Sequence, residues 1–250
     1  MSGLNRAVPS RGSASGLGPL ATRTRTAAGA VLAVLLILYA WTVATAPIDS
    51  VQGVIQKILY VHPPLAYGAY LGFVVTAVCG ALYLWRDDER WDRLAIAGAE
   101  VGVIFCTLMI VTGPIWAKGT WGRWWSWDPR LTVTLLLWFV YLAYLLLRSF
   151  SEGGSRTARF AAVYGLVGVA LIPLNYFVIE IFGGRGMHPE NLERGSLGDG
   201  MGLPFLVGNL TLATAFVWLL LLRWEVENLR ARNLDASLDP LARAREEIAP

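Results

Sequence analysis

Charged side chains are scarce in this sequence, and their scarcity indicates the solvent in which the chain folds. Asp, Glu, Lys and Arg make up 16% of the 250 residues, whereas 55% of the residues are hydrophobic. Soluble domains average about a quarter charged residues, so this composition favours lipid over water. The net charge is only +3 and the basic residues are scattered, so we expect no nucleic-acid partner.

Cysteine is nearly absent, and the motifs that depend on paired cysteines are missing. Cys79 and Cys106 both lie inside apolar runs, and no C-x-x-C motif occurs. That excludes a dithiol redox motif and the covalent attachment motif of c-type cytochromes. No two arginines are adjacent, so a twin-arginine export signal is not expected. We predict that both thiols are small, buried apolar groups.

Long apolar runs are what the sequence has in abundance. Each of six runs is long enough to cross the roughly 30 Å hydrocarbon core as a helix, and none shows the alternation of a barrel strand. The predicted fold class is therefore all-α, a polytopic membrane bundle of six transmembrane helices. Pro173 is expected to kink the fifth helix. The runs are residues 27–46, 65–85, 94–116, 131–147, 160–182 and 203–222.

The distribution of Lys and Arg predicts the orientation of these helices. Fifteen of the 21 basic residues lie in the two termini and in the short connections 86–93 and 148–159. Positive residues stay in the cytoplasm, so both termini are predicted to be cytoplasmic. We divide the chain into a disordered tail (1–26), a transmembrane domain (27–225) and a C-terminal tail (226–250).

Histidine is as rare as cysteine, and both copies fall in predicted outer segments. His62 and His188 are the only two histidines. Neutral imidazole is a good ligand for haem iron and other transition metals, so their confinement to one side indicates a paired ligand role. A structural role, with one hydrogen bond each, stays open. Each precedes a proline, Pro63 or Pro189, which either aims the side chain off the end of an element or marks a helix boundary.

The segment before His62 has apolar residues at helical spacing. Residues 51–59 carry this pattern, and Asp49 or Ser50 can cap its start. We predict an amphipathic helix that lies in the membrane interface and holds His62 at the surface.

Tryptophan is concentrated in one outer segment. Trp121, Trp124, Trp125 and Trp127 lie within seven residues of each other. An aromatic belt needs only one or two rings at each helix end, so this density favours a binding surface. Haem is a wide, flat, apolar ring, and indole rings offer it broad faces for stacking.

Charged residues in and near this segment suit the carboxylates of haem. Arg123 and Arg130, with Arg185 as a further candidate, can make charge-assisted hydrogen bonds to propionates. Asp128 cannot favour a propionate. We assign Asp128 to holding Arg130 or the loop backbone, or to capping the helix that starts near Leu131.

The tryptophan-rich run also carries a family resemblance. Trp121-Gly122-Arg123-Trp124-Trp125-Ser126-Trp127-Asp128-Pro129-Arg130-Leu131-Thr132 resembles the WWD signature of the haem-handling proteins of cytochrome c maturation, namely CcmC, CcmF and CcsA. Six helices, about 250 residues and one outer histidine on each side of the motif are most similar to the CcmC family. CcmF and CcsA proteins are larger. The resemblance covers the chain from about residue 27 to residue 225.

This resemblance implies a haem-binding and haem-transfer protein of the bacterial cytoplasmic (inner) membrane, not an enzyme. CcmC proteins hold haem b at the periplasmic face and pass it to the haem chaperone CcmE, together with the ABC-transporter subunits CcmA and CcmB and the small membrane protein CcmD. His62 matches the first axial ligand and His188 the second. The outer loop 117–130 is expected to form the platform beside which CcmE docks. The sequence is unusually rich in glycine around His188, and Met187 is an alternative soft ligand.

Three other functions fit a helical membrane protein. A b-type electron carrier usually needs haem sites at both faces, and this chain has no histidine in its inner segments. A transporter favours a binding site near the midplane, often between internal repeats, and no repeat is visible. A purely structural subunit would bind no pigment.

Overall fold

The computed structural model describes residues 19–150, 154–184, 186–189, 192, 195 and 197–248. In these ranges the chain forms seven α-helices, one 3-10 helix and no β-strand. The elements are α1 (Pro19–Thr45), the 3-10 helix (Val54–Tyr60), α2 (His62–Arg86), α3 (Glu89–Trp121), α4 (Pro129–Phe150), α5 (Ser155–Val169), α6 (Leu171–Ile181) and α7 (Gly202–Ile248).

Six helical segments of the structure are long and apolar enough to cross a membrane, which confirms the predicted fold class. Helices α5 and α6 together form the fifth of these segments. They are separated at Ala170 because Pro173 has no amide hydrogen to donate to the carbonyl of Val169. The predicted kink is thus a break between two helices.

Two helix boundaries and the type of one helix differ from the sequence prediction. Helix α1 begins at Pro19, so part of the predicted disordered tail is helical, and residues 1–18 lie outside the described ranges. Helix α7 continues to Ile248 through the predicted C-terminal tail. Ion pairs from Glu227 to Arg223 and Arg230, one turn away on each side, stabilise the helix where this tail begins. The segment before His62 is a 3-10 helix and not an α-helix.

Close helix packing forms the centre of the bundle. Helices α2 and α3 approach each other at Gly72 and Gly102, where a Cβ atom added to Gly72 would lie 2.5 Å from the Cα of Gly102. Small residues allow this approach between helices in lipid. Next to this contact, the rings of Phe73 and Tyr141 stack with centroids 3.8 Å apart, and the Tyr141 hydroxyl donates to the Gly165 carbonyl. Cys79 and Cys106 are buried, as predicted.

One end of the bundle is held together by ion pairs. Arg148 donates to both carboxylate oxygens of Asp92, at 2.9 and 2.6 Å, and thereby joins α4 to α3. Arg223 of α7 pairs with Glu100 of α3. These pairs lie at the end that the charge distribution assigns to the cytoplasm. The predicted outer loop 117–130, whose first five residues are the end of α3, is called the tryptophan loop below, and it lies with both histidines at the opposite end.

Candidate functional site

A cavity of about 410 Å³ opens at the histidine end of the bundle. This volume lies within the range of small-molecule and cofactor sites. Residues of α2, α3, α4 and α6 line it, together with residues of the three outer segments that precede α2, precede α4 and follow α6. Five of the residues predicted to bind a ligand line this cavity, namely His62, His188, Trp121, Trp125 and Arg130.

His62 is the first residue of α2, and its imidazole is held by α3. Nδ1 lies 3.0 Å from Oγ1 of Thr112. The Thr112 hydroxyl donates its one hydrogen to the carbonyl of Leu108 at 2.9 Å, one helical turn earlier. When the hydroxyl donates to Leu108, its oxygen accepts from Nδ1–H of His62. In the neutral ring this tautomer leaves a lone pair on Nε2.

The space around the His62 ring is closely shaped. Trp116 approaches it edge-on, with ring centroids 5.9 Å apart, and the indole N–H of Trp116 donates to Oε1 of Gln52 at 2.8 Å. Gly113 lies against the other side, where an added Cβ would be 3.2 Å from Cε1 of the imidazole. A glycine at this turn of α3 thus makes room for the histidine.

His188 lies in the loop between α6 and α7 and shows the same tautomer. Its Nδ1 is 2.8 Å from the carbonyl oxygen of Pro189, which can only accept, so Nδ1 carries the hydrogen and Nε2 the lone pair. Burial lowers the pKa of His188 below its ordinary value of 6.5, which favours the neutral ring at neutral pH. Both histidines line one cavity, and in each the hydrogen bond at Nδ1 leaves Nε2 as the nitrogen that can accept a metal.

Asp128 connects the tryptophan loop to the His188 loop. Its Oδ1 accepts from the amide of Leu131 at 2.9 Å, which confirms the predicted cap of α4. Its Oδ2 accepts from the amides of Met187 and His188, at 3.3 and 3.1 Å. Asp128 is buried outside the cavity lining, and its hydrogen bonds position the backbone at Met187 and His188.

The tryptophan loop has two faces, which the sequence alone did not distinguish. Trp121 and Trp125 line the cavity, whereas Trp124 is 59% exposed and Trp127 is 75% exposed. Trp127 contacts the edge of Trp125, with ring centroids 5.7 Å apart. The indole nitrogen of Trp125 is buried and has no hydrogen-bond partner among the described residues.

The predicted arginines also differ in their position relative to the cavity. Arg130 lines the cavity and donates from Nη2 to the carbonyl of Tyr176 at 2.8 Å. Arg123 is exposed and lies outside the cavity lining, so the structure does not place it with the histidines. Arg185 lies outside the described residues. Arg130 is thus the predicted arginine that can reach a ligand in the cavity.

Several residues of the site were not predicted from the sequence to belong to it. Thr112 is one hydroxyl in a long apolar run, and only its contact with His62 reveals its role. Tyr70 and Tyr176 line the cavity from α2 and α6. Asn175 is fully buried and donates to Thr134 at 2.9 Å, beneath the cavity wall. Buried polar groups in a membrane helix are a reasonable signal for a site, although they do not show which wall they support.

The donor set of the cavity fits haem. Two Nε2 lone pairs are suited to the axial positions of iron, and two indole rings are suited to the porphyrin. Arg130 and the unpartnered Trp125 nitrogen are suited to carboxylates. The described residues contain no cluster of three or more His, Cys, Asp and Glu that could hold a bare metal ion. The fold and the site define a multi-pass helical membrane protein with a two-histidine cavity at one end.

The chain belongs to the CcmC family, whose model, described as Heme exporter protein C, matches residues 13–238. It is 34% identical to the Heme exporter protein C of Haemophilus influenzae over 195 residues, which cover 76% of this chain and 78% of that protein. It is 32% identical to the protein of the same name from Rhodobacter capsulatus over 200 residues, 78% of this chain and 82% of the relative. These matches confirm the resemblance that the tryptophan-rich run indicated.

Proposed function

We propose that this chain binds haem b between His62 and His188 at the outer face of the bacterial cytoplasmic membrane and presents it to the chaperone CcmE for cytochrome c maturation. The observation that carries the proposal is the pair of Nδ1–H imidazoles in one cavity. Membership of a family described as Heme exporter protein C supports haem handling. The proposed role is binding and transfer, without catalysis by this chain.

Each part of the site has a distinct task in this proposal. Haem, when bound, supplies an iron that takes two axial nitrogen ligands. Thr112 and the Pro189 carbonyl hold the two imidazoles in the tautomer that offers Nε2. Trp121 and Trp125 exclude water from the cavity wall. Arg130 offers its guanidinium to a propionate.

The exposed tryptophans are the proposed docking surface for CcmE. Trp124 and Trp127 are large apolar side chains next to the cavity and are turned away from it. Aromatic side chains of this kind commonly anchor protein interfaces. The family description, an exporter, supports an assembly with the ABC-transporter subunits CcmA and CcmB. We include the small protein CcmD in the same assembly.

The charge distribution supports the proposed side of the membrane. Most basic residues lie at the end opposite the cavity, and positive residues stay in the cytoplasm. The cavity is therefore proposed to open toward the periplasm, with both termini in the cytoplasm.

Transfer to CcmE can be tested with two exposed tryptophans that differ only in place. Haem-loaded protein is mixed with haem-free CcmE, the two are separated, and haem on each is measured. Trp127→Ala should slow transfer while the chain keeps its haem. Trp85→Ala is the matched control, because Trp85 is 76% exposed in the last turn of α2, at the end of the bundle opposite the cavity. Equal transfer rates for both variants would contradict the docking surface.

A further inference from the structure

The two histidines of the cavity are held in different ways. His62 begins a helix of 25 residues, and its ring is bound by Thr112 on a helix of 33 residues. Those two helices pack against each other through glycines with almost no space between their backbones. Trp116 and Gly113 enclose the same ring. Moving the His62 ring away from the cavity requires these contacts to break.

His188 lies in the loop between α6 and α7 and is not part of a helix. Within the part of the loop that the structure describes, its ring bonds to the carbonyl of the next residue, so that hydrogen bond travels with the ring when the loop moves. The loop starts at Gly183 and Gly184, with φ of 65° and 72°, a region that glycine adopts without strain. Among the described residues, two hydrogen bonds from the backbone amides of Met187 and His188 to Oδ2 of Asp128 connect this part of the loop to the bundle.

We propose that the two axial ligands have unequal roles: His188 is the ligand that dissociates when haem leaves, and His62 is the ligand that is retained. This inference rests on the proposed function. The bond that breaks joins iron to Nε2 of His188, and its electron pair stays on the nitrogen. The incoming ligand then donates its own pair to the vacated position. Asp128 controls the step because it holds the His188 loop in place.

The structure offers a matched pair of variants for this inference. Asp128→Asn keeps an oxygen that can cap α4 at Leu131 but presents an NH₂ group to the amides of residues 187 and 188. Thr112→Val removes the hydroxyl that holds His62, and Thr112→Ser restores it. Asp128→Asn weakens the hold on His188 and Thr112→Val weakens the hold on His62, and both variants keep both imidazoles.

Carbon monoxide binding to the reduced, haem-loaded protein measures ligand dissociation, because CO adds to a six-coordinate iron only after one axial ligand leaves. At saturating CO, Asp128→Asn should raise the limiting rate about tenfold, the size expected when a hydrogen bond to a charged carboxylate is lost from the His188 loop. Thr112→Val should raise the limiting rate much less than Asp128→Asn does, because Trp116 and Gly113 still enclose the His62 ring, and Thr112→Ser should keep the unsubstituted rate. A faster rate in Thr112→Val with an unchanged rate in Asp128→Asn would overturn the assignment, and so would equal acceleration in both.

A second readout needs no haem, since the chain contains only two histidines. The haem-free protein is treated with diethylpyrocarbonate, which modifies accessible imidazole, and each histidine is followed by mass spectrometry. His188 should react several times faster than His62, and Asp128→Asn should accelerate His188 alone. Faster modification of His62 would contradict the inference. An unsubstituted protein that takes up no haem would overturn the proposed function and this inference together. A protein that binds haem but shows one of the contradicting CO rates or histidine modification rates would overturn only the inference.

Discussion

At the scale of single residues, the site depends on which nitrogen of each imidazole carries hydrogen. Thr112 and the Pro189 carbonyl both accept from Nδ1, and both leave Nε2 for a ligand. Such partners fix the orientation of a metal-binding histidine and raise its basicity. The histidines thus have the hydrogen-bond pattern of metal ligands before any metal binds.

The lowered pKa of His188 predicts how haem binding depends on pH. A proton competes with iron for Nε2, and burial shifts that competition below the ordinary imidazole value of 6.5. The visible spectrum of the haem-loaded protein should therefore stay constant as the pH falls from about 8 through 6.5 and change only below it.

The control for this titration is His188→Gly with added imidazole, which supplies a ligand that titrates near its usual pKa. Its spectrum should change at a higher pH than that of the unsubstituted chain. A midpoint at or above 6.5 in the unsubstituted protein would contradict the prediction.

The sequence predicted which residue types form the site better than it predicted which side chains point into the cavity. Both histidines, Trp125 and Arg130 line the cavity as the pattern indicated. Arg123 shares the loop and the chemistry of Arg130 but is exposed, because the direction of a side chain in a loop has no sequence period. Thr112 could not be found at all, since its role depends on a contact between residues 50 positions apart.

At the scale of elements, glycine sets the distance between the two helices that carry His62 and Thr112. Gly72 of α2 lies against the backbone of Gly98 and Gly102 of α3. Such an approach fixes the helices relative to each other, which in turn fixes the His62 ring against α3.

Gly72→Ala should therefore destabilise the bundle. The added methyl group would lie 2.5 Å from the Gly102 Cα and 2.8 Å from the Gly98 carbonyl oxygen, and backbone atoms cannot move aside as a flexible side chain can. Overpacking of this kind costs about 1–3 kcal/mol. The measurement is the thermal unfolding midpoint in detergent, followed by circular dichroism.

Gly202→Ala is the control for this substitution, because a Cβ at Gly202 meets nothing within 4 Å and the residue begins α7. It should leave the midpoint unchanged or slightly higher. Equal midpoints for the two variants would show that the close approach of α2 and α3 is not required.

The apolar runs predicted the number and type of the elements correctly, because twenty apolar residues in succession leave few alternatives in lipid. The ends of the elements were less predictable. Helix α1 extends back to Pro19, and Arg25 on that added stretch pairs with Glu225 of α7. A contact across the bundle stabilises this part of α1, so the local sequence does not predict where the helix begins.

At the scale of the whole molecule, the two ends of the bundle differ in character. One end carries ion pairs such as Arg148–Asp92 and Arg223–Glu100, and the other carries the cavity and exposed tryptophans. Charge distribution alone predicts which end faces the cytoplasm. The proposed hand-over requires the cavity to face the other way.

Cysteine labelling in whole cells tests this orientation. Val51→Cys, at a position 91% exposed near the cavity, should react with a membrane-impermeant maleimide in spheroplasts. Ser237→Cys, exposed on the late part of α7, should react only after lysis. Cys79 and Cys106 are buried and give a low background. Labelling of Ser237→Cys in intact spheroplasts, with protection of Val51→Cys, would reverse the orientation.

The central claim is that His62 and His188 together ligate haem b in one cavity. The most direct measurement is the visible spectrum of the purified protein, oxidised and reduced, beside His62→Ala and His188→Ala. Ligation by both histidines predicts a Soret band with sharp b-type bands on reduction, which are lost or shifted in both variants. A protein that stays colourless with added haem, or a spectrum that neither substitution changes, would contradict it.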